Sequence, residues 1–188
     1  MTRLLDADDV SRALRRLAHE LVEANHGADD LVLMGIQTRG VPLAERVAAH
    51  LAEIEGVDVP VGALDVTLYR DDVGRRAPGS AGIRPLSETR FPSDIDGRVV
   101  VLVDDVLFTG RTIRAALDAV LSVGRPAAIR LVVLVDRGHR QLPIRADHVG
   151  KNLPTSLAQH VTVHVTPVDD EDAVVVDDAR DAETEGVR

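Results

Sequence analysis

The 188-residue sequence contains no cysteine. Disulfides, thiolate metal sites, redox thiols and cysteine nucleophiles are excluded together. Tryptophan is also absent, and the only other aromatic side chains besides histidine are Tyr69, Phe91 and Phe108. That is too few for a stacking platform on single-stranded nucleic acid. Of the 22 basic residues only Lys151 is a lysine, so lysine chemistry uses that residue or does not occur. No run of about 18 apolar residues offers a membrane span. The N-terminal MTRLLDADDV lacks the apolar stretch of a signal peptide. These absences predict a cytoplasmic protein with no membrane partner.

What is present is acid: 31 Asp and Glu against 22 Lys and Arg, a net charge of -9. As an average this argues against a nucleic-acid partner. The acids are unevenly placed, however. Residues 168–188 hold nine acids and two arginines, leaving the first 167 residues nearly balanced. The expectation is one domain over 1–167, of a size that buries its own core. The acidic stretch from 168 reads as a partly disordered appendage.

Periodicity predicts the main elements. Val10, Leu14, Leu17 and Leu21 form an apolar stripe for a helix over about 8–25, capped by Asp8 or Asp9. Arg12, Arg15, Arg16 and His19 fall on its other face, which taken alone is an ordinary solvated surface. A second helix is expected over about 41–55, with Pro42 in its first turn. Strands are expected at 31–34, 61–69, 98–103, 129–135 and 161–165. The helix from about Thr112 should turn Ile113, Leu117, Val120 and Leu121 inward. Residues 70–97 carry four Gly, three Pro and many charges, and read as a long loop. Unbroken apolar strands alternating with helices predict a mostly parallel α/β sheet.

The chemistry concentrates in VVLVDDVLFTGRT, residues 100–112. A buried strand delivers Asp104 and Asp105 at its carboxyl end, where ligands bind in open α/β sheets. Thr109-Gly110-Arg111-Thr112 then opens a helix, whose free N–H groups hold phosphate. The carboxylates beside it suit sugar hydroxyls or hydrated Mg²⁺. Acidic pairs also occur in receiver domains, but a receiver does not need TGRT at the next helix start. GIQTRG (35–40) lacks the Lys-Ser or Lys-Thr of a Walker loop, and no GxGxxG, G-x-S-x-G or HExxH occurs.

VVLVDDVLFTGRT resembles the 5-phosphoribosyl-1-pyrophosphate (PRPP) motif of type I phosphoribosyltransferases. GIQTRG (35–40), TLYRDD (67–72) and DRGHRQLPIRADHVGKNLPTS (136–156) resemble one branch of that family. That branch comprises bacterial pyrimidine operon regulators that are also uracil phosphoribosyltransferases. The resemblance runs from about residue 6 to about 168. It implies a single-domain fold with a central, mostly parallel sheet, a flexible loop over about 70–97 and a small hood. It implies transfer of phosphoribosyl from PRPP to uracil, giving UMP, with Mg²⁺, and UMP-responsive binding to pyrimidine operon leader mRNA. A homodimer or homotetramer is expected.

Residue by residue, the resemblance makes Asp104 and Asp105 catalytic and Mg²⁺-orienting. It assigns Val106, Leu107, Phe108, Thr109, Gly110, Arg111 and Thr112 to PRPP. Thr38, Arg39 and Gly40 match the pyrophosphate loop, with a surface salt bridge as the alternative for Arg39. Arg70 and Arg84 are the flexible-loop candidates, alongside Arg75 and Arg76. Arg137 and Val161 fall on the uracil side. His19, Arg140, Arg145 and Lys151 match RNA-binding positions, although Arg140 and Arg145 equally suit a structural role.

Overall fold

The computed structural model describes residues 1–67, 89–92 and 94–178. The chain runs β1 (Thr2–Leu5), α1 (Ala7–Asn25), β2 (Leu31–Ile36), α2 (Gly40–Glu55) and β3 (Val61–Leu64). It continues through β4 (Val99–Leu107), α3 (Arg111–Val123), β5 (Ala128–Asp136), β6 (His148–Asn152), β7 (Gln159–His164) and β8 (Ala173–Asp178). Five strands form a parallel sheet in the order β3-β2-β4-β5-β6. A second sheet, antiparallel and in the order β1-β8-β7, is the hood.

Side chains alternate across the parallel sheet. Leu31, Leu33, Val99, Val101 and Val103 share a core with α1 and α2, while Val32, Met34, Val100 and Leu102 pack with α3. Both faces are covered, which is why β2 and β4 read as unbroken apolar runs.

The α1 stripe is buried as its spacing predicts. Its cap is Asp6, not Asp8 or Asp9. The Asp6 carboxylate accepts from the Asp9 N–H at 2.9 Å, and the Asp9 carboxylate accepts from the Asp6 N–H at 3.2 Å. This reciprocal box starts the helix one residue early. On α3, Ala116 and Val120 follow Ile113 inward, and Leu121 is 47% exposed rather than buried. One residue past Val120 is a rotation of about 100°, enough to leave the stripe.

Three further differences concern the ends of elements. β3 stops at Leu64, whereas β4 continues through the Asp pair to Leu107. Residues 89–92 and 94–97 are not wholly loop: the Arg90 and Ala63 backbones exchange hydrogen bonds of 2.8 and 3.0 Å, and Ile95 is buried. The acidic stretch from 168 is not an appendage as far as Asp178. Residues 173–178 form the central strand of the hood, with Ala173, Val174 and Val175 buried. The acids at 169–172 conceal that strand in the composition. Residues 179–188, the rest of the expected disordered end, lie outside the described residues.

Two of those acids pin the hood to α2. Asp172 pairs with Arg46 and accepts from the Thr166 N–H at 2.8 Å and the Thr166 hydroxyl at 2.9 Å. Arg46, above all, holds the Asp172 carboxyl below its ordinary range. A depressed folded-state pKa stabilises above the unfolded value of about 4 and ceases to do so as pH falls through the folded value. Asp172→Asn should therefore cost about 1–3 kcal/mol in urea unfolding at pH 7. The gap to the wild type should narrow progressively as the same titration is repeated at more acid pH.

Candidate active site

Parallel strands end on one side of a sheet, so the segments leaving β2, β4 and β5 meet there. The first is held close by glycine. A Cβ on Gly40 would fall on the Val103 carbonyl oxygen, and one on Gly35 would lie 2.6 Å from the Gly40 carbonyl oxygen. The two glycines of GIQTRG thus let the 37–40 loop lie against β4, one residue before Asp104.

Asp104 is 7% exposed and accepts from the Asp105 N–H at 3.0 Å; half-buried Asp105 accepts from the Val106 N–H at 2.8 Å. The pair lies within the strand rather than at its end. After Leu107 the chain turns through Gly110, which has φ +90° and caps α3. That left-handed conformation favours glycine. The Arg111 N–H donates to the Thr109 hydroxyl at 3.3 Å, and the first regular turn closes from the Arg114 N–H to the Gly110 carbonyl at 2.9 Å. The first-turn N–H groups of Thr112 and Ile113 have no intrahelical acceptor. No acid occupies that turn. The result is an anion cradle beside two carboxylates.

The segment leaving β5 backs this cradle. The Arg137 N–H donates to the Leu107 carbonyl at 3.1 Å, and the Gln141 and Leu142 N–H groups donate to the Thr109 carbonyl at 3.0 and 3.2 Å. Arg140, expected on the RNA face or in a structural role, turns inward. Its guanidinium donates to the carbonyls of Phe108 at 2.7 Å, Ile144 at 3.0 Å, Gly138 at 3.2 Å and Leu107 at 3.3 Å, and pairs with Asp136. Arg137 is 5% exposed. Its fork donates to the Thr155 hydroxyl at 3.2 Å and to the carbonyls of Ser156 at 3.1 Å and Gln159 at 2.6 Å. The same guanidinium lies 4.3 Å from the Phe108 ring centroid, and burial lowers its pKa. Val161, half-buried on β7, faces Val176 of β8 in register.

Arg39 closes on the hood rather than on open space. Nε and Nη2 each donate to Asp169 at 2.8 Å. Asp169 also accepts from the Val165 N–H at 2.8 Å and lies 3.6 Å from His164 Nδ1. The salt-bridge alternative is what the structure contains. Asp169 is the main cause of the raised Arg39 pKa, with a smaller contribution from the charge of Asp105. Thr38 is exposed and Gly40 buried. Arg70, Arg75, Arg76 and Arg84 lie outside the described residues.

Among the described residues no three or more His, Asp or Glu side chains converge into a metal cage. The donor set of Asp104 and Asp105 fits Mg²⁺ brought with a polyphosphate, since that ion takes one or two carboxylates and keeps water and phosphate oxygens.

On another face, His19 and Arg15 are exposed on α1 and Lys151 is exposed on β6; Arg145, in the connection between β5 and β6, is exposed as well. A groove of about 270 Å³ between α1 and β6 is lined by Asp9, Arg12, Arg16, Gly150 and Lys151, with Arg12 paired to Asp9 at 2.6 Å. Arg16 ties the two elements by donating to the carbonyls of Val149 at 3.2 Å and Gly150 at 2.6 Å. The fold therefore joins basic residues that are well over 100 positions apart in sequence.

The phosphoribosyl transferase domain family matches residues 1–167. The chain belongs to that family. A relative from Chloroflexus aurantiacus is 58% identical over 174 residues, covering 93% of each chain. One from Thermus thermophilus is 59% identical over 172 residues, covering 91% of this chain and 92% of its own. Each bears the name Bifunctional protein PyrR. Among solved structures, the Trypanosoma cruzi hypoxanthine phosphoribosyltransferase in complex with IMP aligns with a TM-score of 0.70 at 22% identity, over 97% of this chain and 94% of that one. A Staphylococcus aureus hypoxanthine phosphoribosyltransferase aligns with a TM-score of 0.62 at 22% identity, over 81% and 77%. Both share the phosphoribosyltransferase fold.

Sequence reasoning missed Asp136, Asp169 and Asp172, the acids that hold Arg140, Arg39 and Arg46. Nothing local distinguishes them from other surface acids. The close approach of GIQTRG to β4 gives a direct test. Gly40→Ala should cost about 1–3 kcal/mol of stability by overpacking. In thermal unfolding it should melt below the wild type, and PRPP titration should show weaker binding even where the variant remains folded.

Proposed function

We propose that this phosphoribosyltransferase transfers the phosphoribosyl group of PRPP to uracil, and that it binds pyrimidine operon leader mRNA in response to UMP. The observation that carries the reading is the joining, within 100–112, of an anion cradle and two carboxylates in a chain 58–59% identical to relatives named Bifunctional protein PyrR.

In the reaction, uracil N1 bonds to ribose C1, the C1–O bond to pyrophosphate breaks, and uracil gives up its N1 proton. Positive charge grows on the ribose as negative charge grows on the leaving group. Positioning and electrostatics therefore matter more than a covalent nucleophile. The N–H groups and hydroxyls of 109–112 hold the 5-phosphate, with Val106, Leu107 and Phe108 leading the chain into the cradle. Asp104 and Asp105 hold the ribose hydroxyls and face the developing positive charge. They would also hold Mg²⁺, which when bound neutralises charge on pyrophosphate. The 38–40 loop lies beside them for the leaving group. Buried Arg137 and half-buried Val161 shape the side on which the base rests.

The regulatory half uses the α1–β6 face. His19, Lys151 and Arg145 meet phosphates, and Arg12 and Arg16 extend the same surface. Phosphate contacts fix the position of folded RNA, while its loop bases or shape carry the identity. A protein that reads mRNA in this way works in the cytoplasm, and no helix among the described residues is long and apolar enough to cross a membrane.

Purified protein given PRPP, Mg²⁺ and radiolabelled uracil should form UMP; product no higher than the blank would remove the enzymatic half. Asp104→Asn combined with Asp105→Asn should reduce turnover at least about a hundred-fold, with a near-native melting curve. Gel shifts with a pyrimidine leader transcript should strengthen with UMP and weaken steeply with salt. Salt-insensitive binding would count against a phosphate-reading face.

A further inference from the structure

We propose that Arg140 is a positioning residue for the phosphate cradle, setting affinity for every ligand that carries a 5-phosphate, rather than a contact to RNA. The inference rests on the cradle being the 5-phosphate site.

A loop that presents N–H groups to an anion turns its carbonyls the opposite way, and buried carbonyls need donors. Here three successive carbonyls are met from behind. Leu107 is met by the Arg137 N–H and the Arg140 guanidinium, Phe108 by Arg140, and Thr109 by the N–H groups of Gln141 and Leu142. Phe108 has only Arg140 among these donors. The guanidinium also reaches the carbonyls of Gly138 and Ile144, so one planar group ties the segment before the cradle to the segment behind it. Asp136 pairs with that guanidinium while accepting the Gly138 N–H at 2.9 Å. The half-buried fork, with four carbonyls and one carboxylate as partners, has its donors committed inside the protein. Lysine cannot replace it, because a single ammonium on a flexible stem cannot meet carbonyls in that fixed arrangement.

Ligand chemistry predicts which constants move. PRPP and UMP both carry the 5-phosphate and uracil does not. A displaced cradle weakens PRPP and UMP together and leaves uracil unaffected. Because the 5-phosphate is remote from the reacting carbon, the loss falls mainly on KM.

The test uses full-length Arg140→Lys and Arg140→Gln. KM for PRPP and Kd for UMP should rise together by about ten-fold or more. KM for uracil should stay within about two-fold, and kcat should change less than KM for PRPP. Lys should fail to rescue. Binding of a pyrimidine leader transcript without UMP should keep the wild-type slope against log salt in Arg140→Gln, whereas Lys151→Gln should lower that slope by about one.

Wild-type PRPP and UMP constants in Arg140→Lys, or a slope lowered by about one in Arg140→Gln, would overturn the proposal. Should neither variant fold, Asp136→Asn keeps the Gly138 acceptor but loosens Arg140. It should show the same split between phosphorylated ligands and uracil; a uniform loss would overturn the proposal. Absence of turnover in the wild type would instead sink the enzymatic reading, and UMP calorimetry would still decide the role of Arg140.

Discussion

Peptide groups are dipoles, so a cradle of N–H groups exists only if something accepts the consequences on its far side. In this protein the far side is built from residues 136–144. Gly138 and His139, with φ of +79° and +61°, turn the chain sharply after β5. That turn brings Arg140 back beneath residues 107–109. A Cβ on Gly110 would touch Ile144 at 3.4 Å, so apolar packing backs the cradle as well. The strand supplying the carboxylates and the segment supplying the back plate are neighbours, because β4 and β5 pair in parallel and end together. The site is thus a product of register. If β5 slipped by one residue, Arg140 would no longer meet the Phe108 carbonyl.

This explains which parts were legible in the sequence. VVLVDDVLFTGRT could be read because everything it does locally is written locally: a buried strand, two acids, a glycine turn, a helix start. The α1 stripe and the alternation of apolar strands with helices are periodic signals of the same kind. β1 and β6 could not be read. Thr2–Leu5 is four residues long and acquires strand character from β8, and His148–Asn152 is a short edge strand carrying Gly150 and Lys151. Arg140 and Arg145 stand in one basic loop and look alike in sequence. The structure turns one inward and leaves the other exposed, and the difference lies in carbonyls more than 30 positions away from Arg140.

Arg39 carries the same lesson over a longer distance. It sits in a motif that announces phosphate, yet its fork meets Asp169, 130 residues on. Arg39 and Arg46 lie seven residues apart at the start of α2, and Asp169 and Asp172 lie three apart in the turn between β7 and β8. Two turns of helix span about 10 Å, and a compact turn presents two carboxylates over a comparable reach. The hood is thereby registered on the helix that follows the 37–40 loop beside Asp104. Any movement of the hood is felt by Arg39 through a bidentate contact, which transmits direction as well as charge.

The acidic average of the chain needs the same local treatment. Asp169 and Asp172 are half-buried against Arg39 and Arg46, so their fields are largely cancelled before they reach solvent. Asp136 is likewise spent on Arg140. Exposed charges farther apart than about 8 Å are screened at physiological salt. A phosphate approaching the α1–β6 groove therefore responds to Arg12, Arg15, Arg16 and Lys151 and to the nearby Asp9 and Glu20, not to the net charge of the chain. Glu20 itself is engaged by Arg16 and lies 3.4 Å from His148 Nδ1. The acids that make the protein acidic are in good part the ones that hold its arginines in place; on the α1–β6 face Arg12 and Arg16 are themselves paired, with Asp9 and Glu20, and the exposed Arg15 and Lys151 stand beside them.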